Sequence, residues 1–307
     1  MDLSIYLRFL NGNPITSLTS AVYPSFFRRY FWHSTAILSK QIIDKNNSSF
    51  LKDCGGGWSE KKLESQIKAI VEAVERWAYF YYLNNYPQKA FLDIDRTTTG
   101  FAAVPKYFEN KILFINSYCE SVERFVLNYI WDFGLKLEEN KINNNKIIRL
   151  FSIFKGKLYN FSKAIETEKD FKEINSINFY LSAFRLENGG VIIGTSCGID
   201  EKSIYRSFFE LFINILTFKR MKKLQIKGYE ELNNIIEKRL FYFGSNNKSF
   251  KSLIEQIGEK KCSKIIIPKI NFAGILKGPW EPEIKVGRIV LKNSKEFTTG
   301  SVDKLVI

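Results

Sequence analysis

Glu72-Ala73-Val74-Glu75-Arg76 and Glu120-Ser121-Val122-Glu123-Arg124 are two copies of one pattern, Glu-x-x-Glu-Arg. Residues three apart on a helix return to the same face, so each copy sets two carboxylates side by side with a guanidinium adjacent. Four carboxylates drawn together repel, and a shared cation is the simplest relief. Taken singly, each pair reads as well as surface acids making salt bridges worth ~0.3–0.5 kcal/mol. The duplication is what favours the cation.

Working outward, residues Ser59 to Tyr82 read as a helix with Ser59 as N-cap and an apolar stripe through Leu63, Ile67, Ile70, Val71, Val74, Trp77 and Ala78. Just before it, Asp53-Cys54-Gly55-Gly56-Gly57 reads as a loop whose glycines let backbone amides approach an anion, or else as a plain flexible turn. After a turn at Asn84-Asn85-Tyr86-Pro87, the small residues Thr97-Thr98-Thr99-Gly100-Phe101-Ala102-Ala103 precede a second amphipathic helix, Lys111 to Ile130. Its stripe is Ile112, Ile115, Val122, Phe125, Val126 and Tyr129. Loop followed by acidic helix thus occurs twice, which predicts an internal pseudo-repeat packed with both acidic faces meeting.

Further on, Ile147-Ile148-Arg149-Leu150-Phe151-Ser152-Ile153 reads as a strand. Phe184-Arg185-Leu186 and Val191-Ile192-Ile193-Gly194 read as a hairpin about Glu187-Asn188-Gly189-Gly190. Thr195-Ser196-Cys197-Gly198 reads as a loop. Asp200 or Ser203 can cap a helix to Thr217 that carries Arg206, Glu210 and Asn214 on one face. In the tail, Lys264-Ile265-Ile266-Ile267-Pro268 is the strand candidate.

Composition limits the alternatives. The chain has 307 residues, a formal charge of +14, four cysteines and one histidine. It is long enough for one large α/β domain or two smaller ones. Lysines crowd between Lys202 and Lys264, yet no helix-turn-helix spacing, zinc cluster or aromatic-basic RNA signature accompanies them, so nucleic-acid binding is the weaker reading. The N-terminal Met1-Asp2-Leu3-Ser4-Ile5-Tyr6-Leu7-Arg8 does not read as a signal peptide, and the apolar runs are far below spanning length. A soluble cytoplasmic protein with free thiols at Cys54, Cys119, Cys197 and Cys262 is expected. Neither a Walker-type phosphate loop nor a Gly-x-Gly-x-x-Gly fingerprint is present. His33 reads as a packing or surface residue, and Cys119 and Cys197 adjoin the proposed site without an activating base or cation that sequence can place.

In this order, Gly55-Gly56-Gly57, Glu72 to Arg76, Thr99 to Ala103, Glu120 to Arg124, and the Gly198 to Asn214 segment resemble the YcaO family of ATP-dependent peptide-modifying enzymes. The resemblance covers most of residues 1–307 as a single domain and is weakest over about residues 1–50 and 260–307. It implies an α/β fold of mixed sheets with a pseudo-repeat of loop–helix units carrying an ATP site. Glu72, Glu75, Glu120 and Glu123 are then metal ligands for Mg2+. Gly55, Gly56, Gly57, Asn116, Arg206 and Glu210 join them in holding ATP, and Arg76 and Arg124 act in catalysis.

The implied activity is that of a cyclodehydratase subunit. It would convert Cys, Ser or Thr of a ribosomal precursor peptide to azolines, as in thiazole- and oxazole-bearing bacteriocins. A leader-recognising partner protein and a flavin-dependent azoline oxidase are implied beside it, and self-association is left open. Three departures bear on the reaction: Gly56 stands where the family usually has lysine, Ser65 and Lys68 where it favours small residues, and the chain ends Lys304-Leu305-Val306-Ile307 without a proline-rich tail. Thioamide or macroamidine formation, or a noncatalytic scaffold, are the competing readings.

Overall fold

The computed structural model describes residues 5, 8–10, 14–24, 30–40, 54–86, 99–167, 176–258, 261–292 and 301–304. Arg29, Asp53, Pro87, Thr97, Thr98 and Leu305-Val306-Ile307 lie outside them, as do residues 1–4, 6 and 7. In chain order the elements are β1 (Ile15–Pro24), β2 (Tyr30–Leu38), β3 (Cys54–Ser59), α1 (Lys62–Asn85), β4 (Phe101–Pro105), α2 (Asn110–Phe133), β5 (Glu138–Glu139), α3 (Asn145–Phe151), β6 (Gly156–Glu166), β7 (Ser176–Leu186), β8 (Val191–Gly198), α4 (Ser203–Lys223), α5 (Ile235–Ser245), α6 (Ser249–Ile257), β9 (Ile270–Leu276) and β10 (Ile284–Leu291). The chain divides into two compact units, Met1–Tyr118 with Ile270–Ser294, and Cys119–Lys269 with Lys295–Ile307.

In the first unit β1-β2-β3 form one antiparallel sheet and β4-β10-β9 another. Helix α1 buries Ile67, Ala69, Ile70, Ala73 and Val74 against Ala36 and Leu38 of β2, and the same core takes in Ile284 and Val286 of β10. Gly100, in the left-handed region at φ 71, turns the chain into β4, and its carbonyl accepts the Ile289 N–H. The second unit is the antiparallel sheet β5-β6-β7-β8, covered on β7 and β8 by α4. Phe151 and Phe154 pack with Phe184 of β7 and Phe212 of α4 there. Its C-terminal residues are tied down: Trp131 Nε1 donates to the Asp303 carbonyl at 2.9 Å, and Lys304 pairs with Asp132 at 2.5 Å.

A strand–strand–helix unit occurs twice, once in each of these bodies. Gly57 stands opposite Ser34 in the β2–β3 register, and Gly194 opposite Ser182 in β7–β8. Ser34 Oγ meets Ser65 Oγ of α1 at 2.6 Å, and Ser182 Oγ meets Ser207 Oγ of α4 at 2.7 Å, both buried. Each helical serine also donates to the carbonyl three residues before it, Lys62 and Ile204. Three residues beyond the serine, Lys68 Nζ donates to the Trp58 carbonyl, and Glu210 Oε2 accepts from the Thr195 N–H. Seven beyond, Glu72 accepts from the Gly56 N–H while Asn214 Nδ2 donates to the Ile193 carbonyl. The hydrogen bonds therefore repeat β2-β3-α1 as β7-β8-α4, whereas the sequence suggested a repeat running from the first acidic helix to the second.

Several sequence expectations are corrected. The glycine triplet and residues 101–103 are strands, β3 and β4, not loops, and Thr195 to Gly198 complete β8. Ser59 closes β3, with its Oγ accepting the Lys61 N–H, and α1 starts at Lys62 without a side-chain cap. The segment from Ile147 is helical because Asn144 caps the Lys146 and Ile147 amides and Ile147, Leu150 and Phe151 face the core at helical spacing. Lys264 to Pro268 is not a strand; the tail instead supplies β9 and β10. The hairpin at Glu187 to Gly190 and a helix after Asp200 are present, with Asp200 Oδ1 accepting from the N–H and O–H of Ser203 and α4 running past Thr217 to Lys223.

Candidate functional site

In the first unit the site grows from the edge of β3. Gly55 and Gly57 face α1: a Cβ on Gly55 would lie 2.2 Å from the Ala73 nitrogen, and one on Gly57 2.0 Å from the Ser65 carbonyl. These two glycines let helix and strand close together. That proximity brings Glu72 to the strand edge, where its Oε2 accepts the outward Gly56 N–H at 3.1 Å. The expected anion beside the triplet's amide is thus, within the chain itself, this carboxylate. Glu72 Oε1 holds Arg76 at 2.7 Å, and Glu75 adds its charge to the same guanidinium. Burial opposes ionisation of Arg76, but the two carboxylates outweigh it and raise the pKa above the ordinary arginine value. Arg76 Nε is buried with no hydrogen-bond partner among the described residues.

The second unit places Glu123 of α2 against β8. Thr195 Oγ1 donates to its Oε1 at 2.8 Å and the Cys197 N–H to its Oε2 at 3.2 Å. Glu210 of α4 accepts the Thr195 N–H at 2.6 Å. Thr195 therefore holds two of the expected site carboxylates, one through its hydroxyl and one through its backbone. Arg124 lies 4.0 Å from Glu123, and Arg206 is exposed on α4, its charge acting on Cys119. Glu120 and Asn116 are half-buried on α2.

Thr195 was missed in the sequence because its stretch read as a small-residue loop. Replacing Thr195 with Val removes one of the two anchors of Glu123 while keeping side-chain shape. The expected result is about 1 kcal/mol lost in a denaturant melt, the typical worth of such a bond, with a larger proportional loss of any ligand that needs Glu123.

The cysteines are free, but only Cys119 and Cys197 are buried; Cys54 is half-buried and Cys262 exposed. Burial pushes the Cys119 thiol up to about 12, with Arg206 pulling the other way, and Cys197 is raised well above the ordinary value by burial and Glu123. Both stay protonated at neutral pH, which removes them as nucleophiles. Alkylation of the folded protein at pH 8 is expected at Cys262 first, with Cys119 and Cys197 reacting only after denaturation; peptide mapping reads the order. His33, expected to be packing or surface, stacks on Trp58 with centroids 4.1 Å apart, and it neighbours Glu72. Burial lowers its pKa, and Glu72 partly offsets that.

Among the described residues, no group of three or more His, Cys, Asp or Glu gathers to hold an ion by itself. Magnesium needs less from protein, since it is commonly held by one or two carboxylates and completes its shell with water and phosphate oxygens. The hard carboxylate oxygens of Glu72 and Glu123, already oriented by hydrogen bonds, suit that role. The orphaned Arg76 Nε–H suits an anionic oxygen. The residues present fit a magnesium–phosphate ligand.

No protein-family model matches the sequence, and no curated protein matches it. Solved structures do match. YcaO from Methanopyrus kandleri, bound with AMPPCP and Mg2+, aligns over 95% of this chain and 89% of its own at a TM-score of 0.57 and 14% identity. The chain has the YcaO fold. A chain of the E. coli microcin synthetase McbBCD complex with pro-MccB17 bound aligns over 89% of this chain and 87% of its own, with a TM-score of 0.58 and 13% identity. The McbBCD complex matches again at 0.53 and 11% identity, with the same coverage. Within this YcaO fold the acidic helices are α1 and α2, and among the described residues no helix is long and apolar enough to cross a membrane.

Proposed function

We propose that this chain is a magnesium- and ATP-dependent subunit that modifies the backbone of a ribosomal precursor peptide, acting as a cyclodehydratase. In this reading Glu72, Glu75, Glu120 and Glu123 hold Mg2+. Gly55, Gly56, Gly57, Asn116, Arg206 and Glu210 contribute to nucleotide binding, and Arg76 and Arg124 offset developing phosphate charge. The observation that carries it is the pre-oriented carboxylate in each unit, each fixed on the outward amide of an edge strand, with Arg76 Nε left without an acceptor among the described residues. The fold shared with a YcaO bound to AMPPCP and Mg2+ supports it.

ATP and Mg2+ supply the phosphoryl group and the charge that let an amide oxygen leave, after a Cys, Ser or Thr side chain has attacked the preceding carbonyl. The chain's own contribution is positional. Glu72 fixes Arg76, Thr195 fixes Glu123 and Glu210, and neither needs to reorganise during the reaction. The formal charge of +14 would favour an acidic leader or partner surface. A leader-recognising partner and a flavin-dependent azoline oxidase complete the proposed assembly, and the McbBCD complex with its bound pro-MccB17 is a multi-protein example with the same fold.

The test is turnover: the chain with its partner, Mg2+-ATP and precursor should release phosphate and remove one water per ring formed. Glu75→Gln and Glu123→Gln should each abolish it. A sulfur-for-oxygen exchange would move the assignment to thioamide formation, and normal turnover by both folded variants would sink the metal-ligand assignment.

A further inference from the structure

Gly56 differs from its two neighbours. A Cβ on Gly55 or Gly57 would collide with the α1 backbone, but among the described residues one on Gly56 would meet only His33 Nε2 at 3.4 Å and Glu72 Oε2 at 3.8 Å. Those are ordinary contact distances, and Gly56 is not in the left-handed region. Packing against the helix therefore does not require glycine here. What the missing side chain leaves is a bare stretch of strand, bordered by an imidazole nitrogen on one side and a carboxylate oxygen on the other.

The imidazole is held there by the sheet. Ser34 and Ala36 of β2 face α1, so alternation along the strand puts His33 on the opposite face, with Gly56 and Trp58 of β3. His33 stands opposite Trp58 in the register, the rings stacked at 28° and 4.1 Å, and Phe31 closes on Trp58 at 5.1 Å. Stacking fixes the ring plane and aims Nε2 at Gly56. No hydrogen bond of either ring nitrogen is formed among the described residues, so a half-buried donor is oriented but unused.

We infer that His33 is a ligand-binding residue of the nucleotide site, donating from Nε2 to a phosphate oxygen seated over the bare face of Gly56 beside Glu72. The inference rests on the Mg2+-nucleotide reading above and adds a residue to it from a strand with no part in the acidic helices. The glycine keeps the seat open, the Trp58 stack holds the donor, and the Glu72 carboxylate supplies the edge at which a cation would sit. Ser34 and Thr35, the next residues along β2, carry no side-chain nitrogen.

Calorimetric titration with AMPPCP and Mg2+ tests it through binding rather than turnover. His33→Phe keeps an aromatic ring on Trp58 and removes the nitrogen. It should weaken binding about tenfold or more, the scale of a lost hydrogen bond to a charged group, with the melting temperature nearly unchanged. His33→Gln, which returns a nitrogen donor at similar reach, should recover most of the affinity. Gly56→Ala touches neither ring nor carboxylate chemically and should weaken binding by occupying the seat. Wild-type affinity in both His33→Phe and Gly56→Ala overturns the role of His33 and leaves the nucleotide reading standing. Absence of binding by the folded wild-type chain, alone and with its partner protein, overturns both.

Discussion

Gly57→Ala is expected to destabilise the first unit by about 3 kcal/mol or more, beyond the usual range for an overpacked core, because the added methyl meets backbone and not a yielding side chain. Its Cβ would lie 2.0 Å from the Ser65 carbonyl and 2.5 Å from the Ala69 nitrogen, so α1 must move off the sheet or β3 must bend. The same change at Gly194, 2.2 Å from the Leu211 nitrogen and 2.4 Å from the Ser207 carbonyl, should cost the second unit a similar amount. Gly56→Ala should leave stability within about 1 kcal/mol of wild type. Denaturant melts of the three variants check the pattern. Equal losses at Gly56 and Gly57 would show that close helix–strand approach is not what the triplet is for.

Glu123→Gln is expected to remove magnesium–nucleotide binding by about 100-fold or more while the chain stays folded, since even partners that merely orient a metal ligand are worth 10–100-fold. The amide can keep both existing contacts. Its oxygen can accept the Cys197 N–H, and its NH2 can donate to the Thr195 hydroxyl, which is able to turn from donor to acceptor. Only the charge is lost. A variant that melts like wild type and binds like wild type would exclude Glu123 as a ligand.

Most of what was legible in the sequence is periodic or local. The 3.6-residue stripes of α1 and α2 placed both acidic patterns on helices, and the Glu-Asn-Gly-Gly turn gave the β7–β8 hairpin. What was not legible depends on distant partners. Gly55-Gly56-Gly57 has no β-propensity of its own; it is strand because β2 pairs with it and α1 packs on the space its glycines leave. Ile147 to Phe151 carries β-branched residues, yet the Asn144 cap and the core-facing spacing outweigh propensity. β10 pairs with β9 on one side and on the other with β4, more than a hundred residues earlier, and no local signal announces that second pairing.

The candidate site was legible in the same uneven way. Glu72, Glu123, Arg76 and Glu210 announce themselves by charge and spacing. Thr195 does not, because a threonine in a strand is ordinary until Glu123 and Glu210 are seen to rest on it. His33 reads as a packing or surface residue because the ring that orients it, Trp58, belongs to the neighbouring strand and not to the local sequence.

The central claim is that the carboxylates of these helices bind a magnesium–nucleotide, and titration of the purified chain with AMPPCP tests it most directly. Saturable binding that requires Mg2+, disappears with EDTA, and is lost in Glu72→Gln and Glu123→Gln is the predicted result. A folded wild-type chain that takes up no nucleotide at millimolar concentration with excess Mg2+, alone and with its partner protein, would contradict the account.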